Sequence, residues 1–443
     1  MKKSSIKITA ALIASAVLFS ACTDTSSGRR NRRDRDDDDD ESEVVFTPDD
    51  FNTTLDYSEL DQCSYSEENM NTDYHSYSFD LMRQVLAQEE RDANVMISPA
   101  SVMFALDVCA AGANGDTLSQ ITNLFSEGAD PLEQQAFASD LMTRLNESQD
   151  VEFSVANAIW SNSDMLASGI NPDYADFIDE YYDAEAVAEP FSMATVEEIN
   201  NWIDDKTDGM IDRVLEEINP DAAFIIANAI AFEGQWADPY LDHQVNTDTF
   251  TTASGDQIDV QMMNGSEYFY YESDKATGFF KYYSGGQFAL VVMLPTDETI
   301  SANEFLENFS AEDYEEFISS RTTDYDVYTK LPEFTYDYDT LLNQPLVEMG
   351  ATAPFSYEDA DFTGIGIPDN DENVFISRVI HKTHIELDRN GTRAAAATVV
   401  EMAAGCALDP DPAIRYVYCD RPFAYAIVDT ANNNPIFIGT YNG

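Results

Sequence analysis

The residues that invite a chemical reading lie late in the chain, at Gly391-Thr392-Arg393-Ala394-Ala395-Ala396-Ala397-Thr398-Val399-Val400, which runs on to Gly405, Cys406, Pro410 and Pro412. In a strand, successive side chains face opposite sides. One parity here reads Thr392, Ala394, Ala396, Thr398, Val400, Met402, Ala404, all uncharged and most of them small. The other parity holds Arg393 and Glu401. One face can therefore be buried while the other stays wet. A charge on the buried parity would cost free energy, and a proline would remove a ladder hydrogen bond. Neither occurs before Pro410. Alanine is the best helix former, so a plain helix competes with this reading. The period of two favours a strand not yet formed.

The elements around this segment follow from periodicity. Tyr77 to Gln88 has helical spacing, and Ser98-Pro99 opens a second helix through Leu106 to Ala111, stopped by Gly112. Ile199 to Ile211 is amphipathic, while Phe224 to Phe232 and Phe288 to Leu294 read as fully buried strands. Phe423 to Val428 and Ile436 to Ile438 form a terminal strand pair across Asn432-Asn433-Asn434. Helices come first and strands gather late, which predicts an α+β fold with large sheets.

The N-terminus reads as an export signal. Lys2, Lys3 and Lys7 precede an apolar run from Ile8 to Phe19, and Ser20-Ala21-Cys22 closes it. The run is too short for an ordinary membrane span. It resembles a bacterial lipoprotein signal: residues 1–21 are the signal peptide and Cys22 is the lipidated N-terminus, holding the chain at a membrane surface. The implied location is the bacterial cell envelope, at the outer membrane or cell surface; a plain secretory signal is the alternative. Residues 22–70 read as an acidic flexible tether, with an arginine cluster meeting Asp36 to Asp40 and only scattered apolar residues.

The formal net charge is -60 with only 8 lysines. Such a surface repels nucleic acid and anionic lipid, and it suits a saline habitat where salt screens self-repulsion. Of the remaining cysteines, Cys63 has no assigned role, and Cys109 sits in an apolar helical run as a core thiol. Cys406 and Cys419 bracket the proline-rich end of the late segment, and an oxidising compartment permits a disulfide between them.

Laid in order, a series of motifs resembles the serpins, the serine protease inhibitor family. They are Asn94-Val95-Met96-Ile97-Ser98-Pro99-Ala100-Ser101, then Asn200, Trp202, Thr207, Gly209 and Ile211, then Asn228-Ala229-Ile230 with Phe232, Gly234 and Trp236. Val260, Met262 and Met263 follow, then Leu331-Pro332-Glu333-Phe334, Met349-Gly350, Ala360-Asp361-Phe362-Thr363-Gly364, His381-Lys382 and Asp420-Arg421-Pro422-Phe423. Any one motif is weak; the ordered set is strong. The likeness covers residues 71–443, with the exposed reactive loop at about 389–415.

The resemblance implies three β-sheets with eight to nine helices and a suicide inhibitor without cofactor or metal. A protease attacks the loop, and the cut loop inserts into the main sheet as a new strand. Gly391, Thr392, Arg393 and Ala394, with Ala395, Ala396, Ala397 and Thr398, match the hinge. The family's usual loop length places the scissile bond between Gly405 and Cys406, whereas counting back from Pro422 points near Asp411. Insertion length is set from the hinge side, so the first count is kept. A small, uncharged bait at Ala404-Gly405 implies an elastase-like or subtilisin-like serine protease, or a papain-like cysteine protease. Ser98, Asn228 and His381 match the cluster under the sheet centre, called the shutter, and no catalytic residue is implied. At the loop's entry, called the breach, Glu333 and Arg389 stand with both signs reversed from the family's usual pair, which preserves attraction. No heparin-like activator is implied, given the lysine count, and a monomer is expected. The second reading is a non-inhibitory binding protein on the same fold, kept open by the long loop and Arg393.

Overall fold

The described residues form three sheets and nine α-helices. The computed structural model describes residues 46–47, 50–211, 213–220, 222–369, 373–392 and 413–443. The lipidation candidate Cys22, hinge residues 393–398 and the proposed cut at Gly405-Cys406 lie outside the described residues.

The main sheet contains β2 (Val151–Asn162), β3 (Ala184–Glu189), β4 (Phe224–Gln235), β11 (Phe334–Leu341), β12 (Ile376–Leu387) and β13 (Gly391–Thr392), in the order β11-β12-β13-β4-β2-β3. The second has the order β1-β16-β15-β9-β8-β7, built from β1 (Met96–Ile97), β7 (Tyr270–Glu272), β8 (Ala276–Tyr282), β9 (Phe288–Pro295), β15 (Phe423–Asp429) and β16 (Pro435–Tyr441). The third has the order β14-β10-β6-β5, built from β5 (Val245–Thr251), β6 (Gln257–Glu267), β10 (Tyr325–Pro332) and β14 (Ala413–Tyr418). The helices are α1 (Glu67–Leu86), α2 (Pro99–Ala111), α3 (Gly115–Asn123), α4 (Pro131–Asn146), α5 (Pro172–Tyr182), α6 (Met193–Lys206), α7 (Ala302–Glu307), α8 (Ala311–Ser319) and α9 (Asn343–Glu348).

Strand β4 shows why the main sheet is sandwiched. Phe224, Ile226, Ile230 and Phe232 join the large core, whereas Ile225, Ala227 and Ala229 join a second apolar cluster on the opposite face. Helix α6 covers that second face. It sets Val196, Ile199 and Ile203 into the same cluster as Ala156, Ala158, Ala227 and Ala229. The i, i+3, i+7 spacing makes the apolar stripe, and the alanines leave room for it to lie close. Asn200 ties the chain leaving α6 to the helix. Its Oδ1 accepts from the amides of Val214 and Leu215 at 2.9 and 3.0 Å, and its Nδ2 donates to the Leu215 carbonyl at 2.8 Å.

Helix α2 is buried along its whole length and opens as its sequence predicts, with Ser98 Oγ accepting from the Ser101 amide at 3.2 Å. It carries one carboxylic acid, Asp107, whose Oδ1 accepts from Gln134 Nε2 at 2.6 Å. Burial pushes the Asp107 carboxyl up to about 8, so it is neutral at pH 7 and adds no charge to the core.

The tether expectation needs correction at its C-terminal end. Helix α1 begins at Glu67, capped by Ser66, and the preceding turns pack against the domain. Leu55 and Leu60 are buried, Tyr57 stacks on Phe177 at 4.2 Å, and Tyr57 Oη donates to the Ala111 carbonyl at 2.8 Å. Isolated apolar residues can each fill a pocket between helices without any sequence period, so the pattern did not show the contact.

Candidate functional site

The centre of the main sheet is a seam that is closed below and entered from above. Strands β4 and β12 pair directly and in parallel at seven positions, from Ile376 opposite Phe224 to Thr383 opposite Ile230. Beyond them β13 stands between the two strands and runs antiparallel to both. Gly391 lies opposite Gln235, and Thr392 lies opposite Gly234 and Leu387. Continuing β13 downward would put each following residue where β4 and β12 now pair. Extension of the loop and closure of the seam are therefore mutually exclusive.

The two visible hinge residues are seated tightly. Thr392 is buried, as its parity predicts, and its Oγ1 lies 2.7 Å from Tyr283 Oη, within hydrogen-bond reach. Tyr283 in turn stacks on Trp236 with ring centroids 4.5 Å apart. Gly391 is required by close approach, since a Cβ there would lie 2.0 Å from the Gly234 carbonyl oxygen.

The turn between β12 and β13 is held at every peptide. Asp388 Oδ1 accepts from the amides of Asn390 and Gly391 at 2.7 and 3.1 Å. Trp236 Nε1 donates to the Asp388 carbonyl at 2.9 Å, the Trp236 amide to the Asn390 carbonyl at 2.8 Å, and the Tyr240 amide to the Arg389 carbonyl at 2.9 Å. At its outer side Arg389 meets Glu333. Nε donates to Oε1 at 2.8 Å and Nη2 to Oε2 at 3.4 Å, a two-pronged pair, and the Arg389 amide reaches the same Oε1 at 3.3 Å. Asp242 stands 3.6 Å from the third guanidinium nitrogen. The reversed pair thus sits where the loop leaves the sheet.

Below the hinge, Ser98, Asn228 and His381 meet in one network with Ser101 and Asn157, all of them buried. The Ser98 amide donates to His381 Nε2 at 3.0 Å, so that nitrogen carries no proton. The proton therefore resides on Nδ1, which donates to Asn228 Oδ1 at 2.8 Å. Asn228 Nδ2 reaches Ser101 Oγ at 2.6 Å, the Ser101 carbonyl at 2.9 Å and Asn157 Oδ1 at 2.7 Å. Asn228 and His381 are register partners across the seam, and Asn157 is the partner of Asn228 on β2. The network thus links three strands and the start of α2. Burial pulls the His381 imidazole down to about 3, because a cation there would lose solvation and the Ser98 bond together.

A nucleophilic serine needs its hydroxyl aimed at the imidazole. Here Ser98 Oγ donates instead to the Ile436 carbonyl at 2.7 Å, and only its backbone amide touches His381. The sequence reading did not assign Ser101, Asn157 or Tyr283 to the site. A lone asparagine within the apolar run of β2 is the signal that points to Asn157. Among the described residues no group of three or more His, Cys, Asp and Glu side chains could hold a metal.

Of the expected bridge, Cys406 lies outside the described residues. Cys419, directly after β14, is completely buried. Burial also pushes this thiol well above its ordinary range, which leaves it unreactive.

This arrangement of three sheets, a closed seam and a loop rooted at its upper end defines an α+β fold with a strand slot. A family model described as serpin (serine protease inhibitor) matches residues 72–443. An uncharacterized serpin-like protein of Methanosarcina acetivorans is 30% identical over 390 residues, covering 86% of this chain and 89% of the relative. Leukocyte elastase inhibitor A of Mus musculus is 27% identical over 376 residues, covering 80% and 94%. The crystal structure of a thermophilic serpin, tengpin, in the native state superposes with a TM-score of 0.77 at 32% identity, covering 87% of this chain and 98% of that one. The chain belongs to the serpin family, whose members are mostly protease inhibitors and not catalysts.

The network sets a pH dependence. The unfolded imidazole titrates near 6.5 and the folded one near 3, so the unfolded chain binds the extra proton between these values. The stabilisation from neutral His381 is therefore complete above about pH 6.5 and is lost as pH falls toward 3. Guanidinium unfolding of wild type and His381→Gln at a series of pH values should show a stability gap that is widest above pH 6.5 and narrows in acid. A gap independent of pH would reject the neutral, pKa-lowered state of His381. For the entry pair, Glu333→Lys should destabilise, and Arg389→Glu in the same chain should recover part of the loss. A double-mutant cycle should give a coupling of about 1 kcal/mol, and zero coupling would refute the pairing.

Proposed function

We propose that this protein is a suicide inhibitor of an endoprotease of small-residue specificity, working by insertion of residues 393–404 between β4 and β12. The observation that carries the reading is β13. Gly391 and Thr392 already pair antiparallel with β4, and Thr392 with β12 as well, at the upper end of a seam that β4 and β12 close below.

The energetics follow from the ladders. Insertion breaks the seven parallel pairs of β4 and β12 and replaces them with an antiparallel pairing on each side of the new strand. Parallel pairing is slightly weaker per residue, so two antiparallel ladders exceed the one lost. The intact loop is tied at β13 and at β14 and cannot travel down the sheet. Cleavage frees the end that must move. In the acyl-enzyme the protease is covalently attached to that end and is carried with it. The alternating face makes the movement feasible, since Thr392, Ala394, Ala396 and Thr398 enter the core without a charge or a bulky side chain.

The bait Ala404-Gly405, cut before Cys406, supports an elastase-like or subtilisin-like serine protease or a papain-like cysteine protease as the target. The name of the mouse relative, an inhibitor of leukocyte elastase, agrees with that class. The protein is proposed to act at the outer membrane or cell surface of the bacterial envelope, anchored through a lipid on Cys22, as a monomer without cofactor or polyanion activator. The acidic surface is proposed to be an adaptation to salt. Metabolic labelling with palmitate should mark wild type but not Cys22→Ser, and equal thermal stability from low to molar salt would reject the saline reading.

Incubation with subtilisin and pancreatic elastase should give an SDS-resistant complex and release a C-terminal peptide that begins at Cys406. A peptide that starts later moves the cut, and loop cleavage without any complex overturns the inhibitor reading. Parity gives the sharper contrast. Thr392→Arg puts a charge on the buried face and should convert the inhibitor largely into a substrate, raising the stoichiometry about tenfold or more. Arg393→Glu, on the wet face, should leave the stoichiometry nearly unchanged.

A further inference from the structure

The reactive loop re-enters the described structure at Ala413, the first residue of β14, and β14 is the edge strand of its sheet. The outer face of this edge is unusually aromatic. Tyr416 is 59% exposed, Ile414 47% and Tyr328 45%, and Tyr268 at the adjoining strand end is 81% exposed. They form a connected surface. Tyr328 and Tyr416 are register partners with ring centroids 6.0 Å apart, and Tyr416 lies 5.3 Å from Tyr418. A cleft of about 400 Å³ opens at the end of this stripe between Tyr268 and Tyr328, with Asp326 on its wall. No folding role requires these side chains to be aromatic, because their rings face solvent. Rigid amphipathic rings of this kind are characteristic of binding surfaces.

We propose that this aromatic face of the third sheet is a docking surface for the target protease, contacting the enzyme's surface beside the part of its cleft that holds the residues after the cut. The inference rests on the inhibitor reading above and deepens it. Chain length carries it. Cys406 stands seven residues before Ala413, a span of at most about 25 Å when fully extended. A protease closed over the Gly405-Cys406 bond is thus held within that distance of β14. A specific protein interface covers about 800 Å² on each partner, more than an extended loop fills alone. Surface beyond the loop must therefore be touched, and the β14 edge is the sheet surface to which the shorter stem leads. The hinge stem is longer, with Gly405 thirteen residues after Thr392.

The chemistry of the surface describes the partner. Tyr268, Tyr328 and Asp326 offer aromatic walls and a carboxylate, a combination that holds an arginine or lysine side chain by cation–π and ionic attraction. The formal charge of -60 draws a basic rim toward the inhibitor from a distance. The preferred target is therefore a protease with a cationic or apolar rim on that side of its cleft. The surface acts on the rate of encounter and on the lifetime of the first complex, not on insertion.

The test uses the full chain with subtilisin and pancreatic elastase as probes. Tyr328→Ala/Tyr416→Ala, Tyr268→Ala and Asp326→Asn are compared with wild type. The double variant should lower the second-order rate of covalent complex formation by about tenfold with at least one probe. The stoichiometry should stay unchanged, as should the rate at which the same protease cuts a free peptide of residues 398–412. Asp326→Asn should lower the rate less and flatten its dependence on salt. Tyr268→Ala removes a side chain that is largely in solvent, so its effect is independent of folding. Equal rates for all variants with every probe that wild type traps would overturn the docking surface and leave the inhibitor reading intact. A wild-type chain that forms no complex with either probe would overturn both.

Discussion

The parallel pairing of β4 with β12 is the contact on which the rest depends. It closes the main sheet across its middle, yet it joins strands that arrive from distant parts of the chain and lack a local connection. Strand β13 already occupies the gap at one end of it. The sheet therefore has two internally consistent arrangements: one with the seam closed, and one with the loop as an additional central strand. The Ser98-Asn228-His381 network sits at mid-seam because hydrogen bonds there can hold the strands together without apolar side chains locked across them. Its neutral histidine adds no charge at the seam, and each bond is directional enough to fix register.

Around the seam the structure separates what must stay from what must move. The turn from Asp388 to Gly391 is fastened by hydrogen bonds from Trp236 and Tyr240 and by the Glu333–Arg389 pair. On the opposite face α6 lies over Ala227 and Ala229 of β4 and over Ile380 of β12, on both sides of the closed seam. Widening the sheet by one strand would separate the surfaces on which α6 rests. The third sheet carries the chain after residue 412 on an edge strand, and Tyr416 and Tyr328 on its outer face are exposed.

Much of this was legible in the sequence because it is local. The period of two through Thr392, Ala394 and Ala396 announces a strand whose one face can be buried, and Thr392 is indeed buried on that face. Ser98-Pro99 is a helix start by its capping chemistry, and the unbroken apolar runs of β4 and β9 are strands with two covered faces. The reversed charges at Glu333 and Arg389 could be matched only through an ordered family resemblance, since 55 intervening residues give no local cue to their meeting. Where local reasoning failed, packing was decisive. The segment around Leu55, Tyr57 and Leu60 lacks a period because each residue fills a different pocket. Cys419 is buried directly after β14, which no local period announces.

The sequence by itself determined the family, the uncharged parity that runs from Thr392 to Ala404 and the strongly acidic composition, because each is a property of composition or of neighbours along the chain. The tertiary structure alone decided that β4 and β12 pair along the seam, that Gly391 and Thr392 stand between them at its upper end, that His381 carries its proton on Nδ1, and that Asn157, Ser101 and Tyr283 belong to the site. These depend on which strand lies beside which and on the direction of each hydrogen bond, and both are set by pairings between residues far apart in the chain.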